Sequence, residues 1–137
     1  MAELRISGFD DLLDAARREP DPQRLLFVFA GAELPDDATP AQRQRFANGA
    51  GGALVPLMCV DKALDDLQTF AELVEESHAS GPDWAIVFVA ALGGHGDRLP
   101  TSADAEAPLQ RMVDAIKAGS HGSYIPFDRA GRPVVFD

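Results

Sequence analysis

The sequence predicts a single α/β domain over residues 1–137, in which a mixed, mostly parallel sheet carries helices packed against it. The apolar run 25–30 and the segment DWAIVFVAAL, apolar from residue 84 to 92, are typical of strands that are buried on both faces. Segments with helical periodicity and capping signals alternate with the predicted strands. The 137 residues, 46% of them hydrophobic, are enough to bury the core of one such domain.

The first half of the chain predicts two helices around the first strand. The segment FDDLLDAARRE, 9–19, has helical spacing and must end before Pro20. The strand RLLFVFAGAEL follows, and then TPAQRQRFANG begins a short helix. In that helix Thr39 is suited to the cap, Pro40 to the first position, and Gln42 completes a capping box.

The second half predicts two strands, two helices and a terminal hairpin. Pro56 places the strand ALVPLMCV at a sheet edge or at a bulge, because proline lacks the N–H that a ladder needs. A helix beginning at Asp61 or Asp65 extends to about residue 79, and its apolar face includes Leu67, Phe70, Ala71, Val74 and His78. After the strand DWAIVFVAAL, a helix has capping-box residues Thr101 and Asp104 and a C-terminal Gly119. The segment SYIPFDRAGRPVVFD predicts a β-hairpin around 128–131.

If the strand with Pro56 is an edge and the two apolar strands are central, the strand order is 2-1-3, followed by the hairpin. Ligands of open α/β sheets bind outside the carboxyl ends of the strands where the order reverses, here between the first and third strands. The glycine-rich loop GGHGDR at the end of the third strand is then a ligand-binding candidate, with Gly93, Gly94, His95, Gly96, Asp97 and Arg98. His95 is a candidate acid–base group that Glu33 or Asp61 would orient.

The alternative for the same loop is a plain connector between a strand and a helix. It matches neither GxxxxGK[ST] nor GxGxxG. A thioredoxin-like arrangement, suggested by Ile125-Pro126 before the hairpin, is the alternative fold.

Composition limits the chemistry. The formal charge of −10 disfavours nucleic acids and anionic membranes as partners. It is explained by a solvated acidic surface, and the alternative is a surface that binds a basic partner protein. The single cysteine, Cys59, allows no disulfide within the chain and no CxxC pair, and we expect it to be buried as a small hydrophobe. No pattern predicts a metal site or a cofactor. Without a signal-peptide pattern or a long apolar stretch, the expected location is the cytoplasm.

The segments PQRLLFVFAGAELPDDATPAQRQRF, GGALVPLMCVDKALDDL, GPDWAIVFVAAL and LQRMVDAIKAGSHGSYIPFDRAGRPV resemble a small bacterial family of no established function. Members often carry the label ribonucleotide reductase subunit alpha. That label implies a radical-forming cysteine and a redox pair in a barrel several times this length, which one cysteine in 137 residues does not supply. The resemblance therefore assigns no functional residues.

The sequence thus predicts a non-enzymatic protein-interaction or accessory domain, with self-association through the hairpin or an edge strand. The competing hypothesis is a small-ligand-binding protein or small enzyme whose site lies at the carboxyl ends of the first and third strands. That site would use Glu33, Asp61, His95, Asp97 and Arg98.

Overall fold

The computed structural model describes residues 8–33, 37–47, 53–66, 69–81, 83–94, 98–120, 122 and 124–134. Its helices are α1 (Phe9–Arg17), α2 (Pro40–Ala47), α3 (Phe70–Ser80) and α4 (Ser102–Ala118), with a 3₁₀ helix at Leu64–Asp66. Its strands are β1 (Gln23–Glu33), β2 (Ala53–Ala63), β3 (Ile86–Gly93) and β4 (Ile125–Phe127).

The four strands form one sheet in the order β2-β1-β3-β4, and every neighbouring pair is antiparallel. The neighbours of β1 are therefore those expected, but the strand directions are not. The prediction of a mostly parallel sheet is wrong, and the thioredoxin-like alternative, which also requires parallel neighbours, does not fit. The protein has a mixed α/β architecture built on an antiparallel sheet.

The polar sequence of α2 explains this difference. A parallel connection between neighbouring strands needs a crossover helix that covers the sheet, whereas antiparallel strands need only a hairpin. The helix PAQRQRFA has few apolar residues, and its described side chains are exposed. It therefore lies within a long hairpin connection between β1 and β2. Because β2 and β3 both run antiparallel to β1, they run parallel to each other, and α3 connects them with β1 between.

β1 divides the core into two clusters because successive side chains of a strand point to opposite faces. Leu25, Phe27 and Phe29 face the helices α1 and α3, whereas Leu26, Val28 and Ala30 face α4. The first cluster is aromatic: it also contains Phe9, Phe70, Trp84 and Phe127. The second is completed by Phe88, Ala105, Met112 and Ile116. The prediction that β1 is buried on both faces is confirmed.

Several local predictions are also confirmed. Capping boxes join Thr39 to Gln42 and Thr101 to Asp104. β2 is an edge strand of the described sheet. Its register against β1 shifts at Pro56, because Phe29 pairs with Met58 whereas the next residue, Ala30, pairs with Pro56. The predicted terminal hairpin is present in part: Asp128 N–H donates to the Arg132 carbonyl at 2.9 Å across the turn, but in the described residues a single bridge, Phe127 to Pro133, stands in place of the second strand.

The predicted start of the third helix is wrong. β2 continues through Asp61 to Ala63, and α3 begins only at Phe70, where the Thr69 hydroxyl accepts a hydrogen bond from Glu72 N–H. Aspartates at 61 and 65 have the chemistry of a helix cap, but the apolar face of the helix begins later.

The left-handed cap of α4 gives a clean test of backbone strain. Gly119 has φ 76°, and a Cβ added there would contact nothing within 4 Å. We expect Gly119→Ala to lower the free energy of unfolding by about 1 kcal/mol, because alanine is strained in this conformation. Chemical denaturation checks the value.

Gly122→Ala is the matched control, because Gly122 is equally uncrowded but does not have a positive φ. Its free energy of unfolding should stay close to that of the parent protein. Equal losses in the two variants would contradict the assignment of strain to Gly119.

Candidate functional site

The described part of the glycine-rich loop packs against itself. Gly94 N–H donates to the Pro22 carbonyl at 2.8 Å, and a Cβ added to Gly94 would lie 1.9 Å from the Arg98 carbonyl oxygen. A glycine is therefore required here by the close approach of two backbone segments. His95, Gly96 and Asp97 lie outside the described residues. The ligand-binding role of this loop stays a prediction.

The predicted crevice is not formed, because its two flanking loops follow strands that run in opposite directions. Glu33, at the end of β1, is paired with Ala53, whereas Gly93, at the end of β3, is paired with Gln23. The ten residue-to-residue steps from Gln23 to Glu33 span about 33 Å at about 3.3 Å per step. Glu33 and the glycine-rich loop therefore lie at opposite ends of the sheet.

Asp61 lies at the same end of the sheet as the glycine-rich loop, and it forms a polar cluster with Arg24 and Ser102. Arg24 Nε donates to Asp61 Oδ2 at 2.6 Å, and Arg24 Nη2 donates to Ser102 Oγ at 2.8 Å. The Ser102 hydroxyl in turn donates to Asp61 Oδ2 at 2.8 Å. The cluster joins β1, β2 and the first turn of α4.

The charge of Asp61 is stabilised by its partners. Partial burial alone would raise the pKa of its carboxyl, but the hydrogen bond from Ser102 and the hydrogen bond and positive charge of Arg24 outweigh burial. The pKa of Asp61 therefore lies below its ordinary value. These contacts hold α4 on the sheet, which is a structural use of a residue predicted to orient a catalytic base.

A depression of about 250 Å³ adjoins this cluster, lined by Gly93, Gly94, Arg98, Pro100 and Asp104 among others. The hydrogen bonds with Thr101 lower the pKa of Asp104, first among them the one from Thr101 N–H. A carboxylate therefore already occupies the N-terminal turn of α4, where an anionic ligand would otherwise bind. Arg98 and Asp104 are the charged residues of this lining and offset each other, so the depression has no net positive charge to attract a phosphate.

A larger concave surface is a groove on the other face of the sheet. It has a volume of about 650 Å³ and lies between α3, the start of α1 and the turn that follows β4. We call it the α3 groove. Its lining residues are Asp10, Thr69, Phe70, Ala71, Val74, Glu75, His78, Arg129 and Ala130.

Arg129 forms a fixed wall of the α3 groove. Its Nε donates to the Trp84 carbonyl, and its guanidinium carbon lies 5.7 Å from the centre of the Trp84 ring. Trp84 is itself buried, and its indole N–H donates to Ser77 Oγ at 2.8 Å. Arg129 therefore joins the hairpin turn to α3 through the segment that leads into β3.

The charges of the α3 groove are unequal. Arg129 Nη2 lies 3.6 Å from Asp83 Oδ1, and His78 Nδ1 lies 3.9 Å from the same oxygen. Asp83 thus offsets the positive charge of Arg129. The carboxylates of Asp10 and Glu75 then leave the groove with a net negative charge over an apolar floor of Phe70, Ala71 and Val74.

The sequence indicated one wall of this groove. Ala71, Val74 and His78 recur at helical spacing on one face of α3. Asp10 and Arg129 come from segments far away in the chain, and no local pattern predicts that they meet.

The described residues do not support a cysteine nucleophile or a metal site. Cys59 is exposed, contrary to the expected burial, and partial desolvation raises the pKa of its thiol. Little thiolate forms at neutral pH, so Cys59 is a poor nucleophile. Within the described ranges, no three His, Cys, Asp or Glu residues are arranged to hold a metal ion.

Comparison with protein-family models, with curated proteins and with solved structures found no match. Among the helices of the described segments, none has the length and apolarity needed to cross a membrane.

The Asp61 cluster predicts a pH-dependent contribution to stability. A carboxyl whose pKa is lowered by folding stabilises the protein above its unfolded pKa, and this contribution is lost as the pH falls through the folded pKa. We expect Asp61→Asn to lower the free energy of unfolding at pH 7 by about 1 kcal/mol, a figure reduced for partial exposure. The difference should shrink as the pH falls below about 4 in urea denaturation series.

Asp65→Asn is the control, because Asp65 is exposed in the 3₁₀ helix that follows the same strand. It should change the free energy of unfolding little at any pH. A cost for Asp61→Asn that is the same at acid and neutral pH would refute the role of its charge.

Proposed function

We propose that this protein is a non-enzymatic interaction domain that binds a basic, partly apolar peptide segment in the α3 groove. The observation that carries the proposal is the combination of an apolar floor with the carboxylates of Asp10 and Glu75 at its rim. The proposal keeps the predicted class of function and the predicted preference for a basic partner. The proposed site differs from the predicted crevice, because the α3 groove lies on the face of the sheet opposite α4.

The size and composition of the groove support peptide binding. Its volume of about 650 Å³ fits a few side chains, and its floor is the exposed part of the stripe along α3. Grooves of this kind bind a helix or an extended segment through apolar anchors, while charges around the rim set orientation and specificity. The net charge of −10 on the chain would also speed the approach of a basic partner.

The rigidity of the groove supports the same proposal. Its Arg129 wall is held by Trp84, Asp83 and Ser77 through the contacts described above. The turn that presents Arg129 is held by Asp128 Oδ1, which accepts from Ala130 N–H at 2.8 Å. A preformed groove loses little conformational entropy when a peptide binds.

The cytoplasm remains the proposed location, on the sequence argument alone. The resemblance to the bacterial family also remains a proposal, and it adds no residue to the site.

Peptide titration tests the proposal. We expect a fluorescein-labelled amphipathic peptide of leucine and lysine to bind, and its leucine–glutamate counterpart not to bind, in fluorescence anisotropy. Glu75→Lys should raise the dissociation constant of the basic peptide about tenfold, because it places a like charge beside the ligand. Val74→Asp should also weaken binding, because it places a charge in the apolar floor.

Glu106→Lys is the matched control: it changes the net charge equally, but Glu106 lies on α4 and outside the groove. It should alter the dissociation constant by less than about twofold. If Glu75→Lys and Glu106→Lys weaken binding equally, the peptide responds to total charge and the groove is not the site.

A further inference from the structure

We infer that the α3 groove of one copy binds the helix α2 of a second copy, so that the protein forms a dimer with two equivalent contacts. This inference rests on the proposed function, because it names the segment that the groove would bind. It follows from the properties of α2 and from the charges of the groove.

α2 is a short helix that the described fold leaves outside the core. It has eight residues, and every side chain described in it is exposed. Isolated helices shorter than about 12–15 residues are marginal in water, and helices in proteins gain most of their stability from packing. The capping box of Thr39 and Gln42 is formed, so α2 is a capped helix whose described side chains are exposed and belong to neither core cluster.

The charge of α2 is the opposite of the charge of the groove. The sequence PAQRQRFA contains Arg43 and Arg45 and no acidic residue, whereas α1, α3 and α4 each contain several. The groove has Asp10 and Glu75 at its rim. The chain therefore contains both a basic helix and an acidic groove.

A two-fold dimer would cover both α2 and the α3 groove. When one α2 binds the groove of its partner, symmetry places the second α2 in the first groove, and the two contacts are identical. The contact would bring together opposite local charges in a protein whose formal charge of −10 otherwise opposes self-association. Such a contact would pair Arg45, exposed on α2 of one copy, with Glu75, exposed in the groove of the other.

Sedimentation velocity over a range of protein concentrations tests the inference on the full chain. We expect the parent protein to show a reversible monomer–dimer equilibrium that weakens with added salt. Arg45→Glu and Glu75→Lys should each raise the dimer dissociation constant about tenfold, because each creates a like-charge pair in both contacts. The double variant R45E/E75K should restore most of the affinity, because the charges are exchanged and again opposite.

The exchange on α4, Glu106→Lys with Arg111→Glu, is the matched control, since both residues are exposed on that helix. It should leave the dimer unchanged. Circular dichroism confirms that every variant is folded.

The outcomes separate this inference from the proposed function. A parent protein that remains a monomer overturns the inference, and so does a dimer that neither single variant weakens. A dimer that the single variants weaken and the double variant fails to restore also overturns the pairing. If the basic peptide still binds and Glu75→Lys weakens it, the groove is a peptide site for another protein, whereas failure of both experiments rejects the proposed function as well.

Discussion

The burial of β1 on both faces and along both edges is the constraint on which the rest of the structure depends. Its residues from Leu25 to Ala30 are almost completely inaccessible to solvent, and β2 and β3 pair with it on either side. Fully burying a large apolar side chain stabilises a protein by about 1.5–3 kcal/mol. Because alternate residues of β1 serve the two clusters, a change in its register would reverse both core faces at once. The helices therefore pack on a strand whose register is fixed by both core clusters.

This constraint also explains why the two faces of the sheet differ. On one side, Phe27 and Phe29 pack with a group of aromatic side chains that α1 and α3 complete. On the other, Leu26, Val28 and Ala30 pack against α4. Two helices on the first side leave a groove between α3 and the C-terminal turn, so the candidate site arises from how that face is covered.

Local sequence was a good guide to elements with a local cause. The run from Leu25 to Ala30, the proline at 56, the caps of α2 and α4 and the final turn all depend on residues within a few positions of one another. Strand direction depends instead on which connecting segments cover the sheet, and the apolar run of β1 is compatible with parallel or antiparallel neighbours. The polar composition of α2 was the available evidence against a crossover. The groove was harder to predict from the sequence. The apolar stripe of α3 is a local pattern, whereas Asp10 and Arg129 approach that helix only after folding.

The cluster of Arg24, Asp61 and Ser102 has a consequence for the way the structure opens. β2 pairs with β1 alone in the described sheet, and its far end is tied to the first turn of α4 by these three side chains. Proteins open locally in contiguous cooperative units. These contacts couple the edge strand to a helix far from it in the sequence. Loss of the Asp61 contacts would weaken that coupling, whereas the apolar packing of Met112 and Ile116 would still hold α4 against β1.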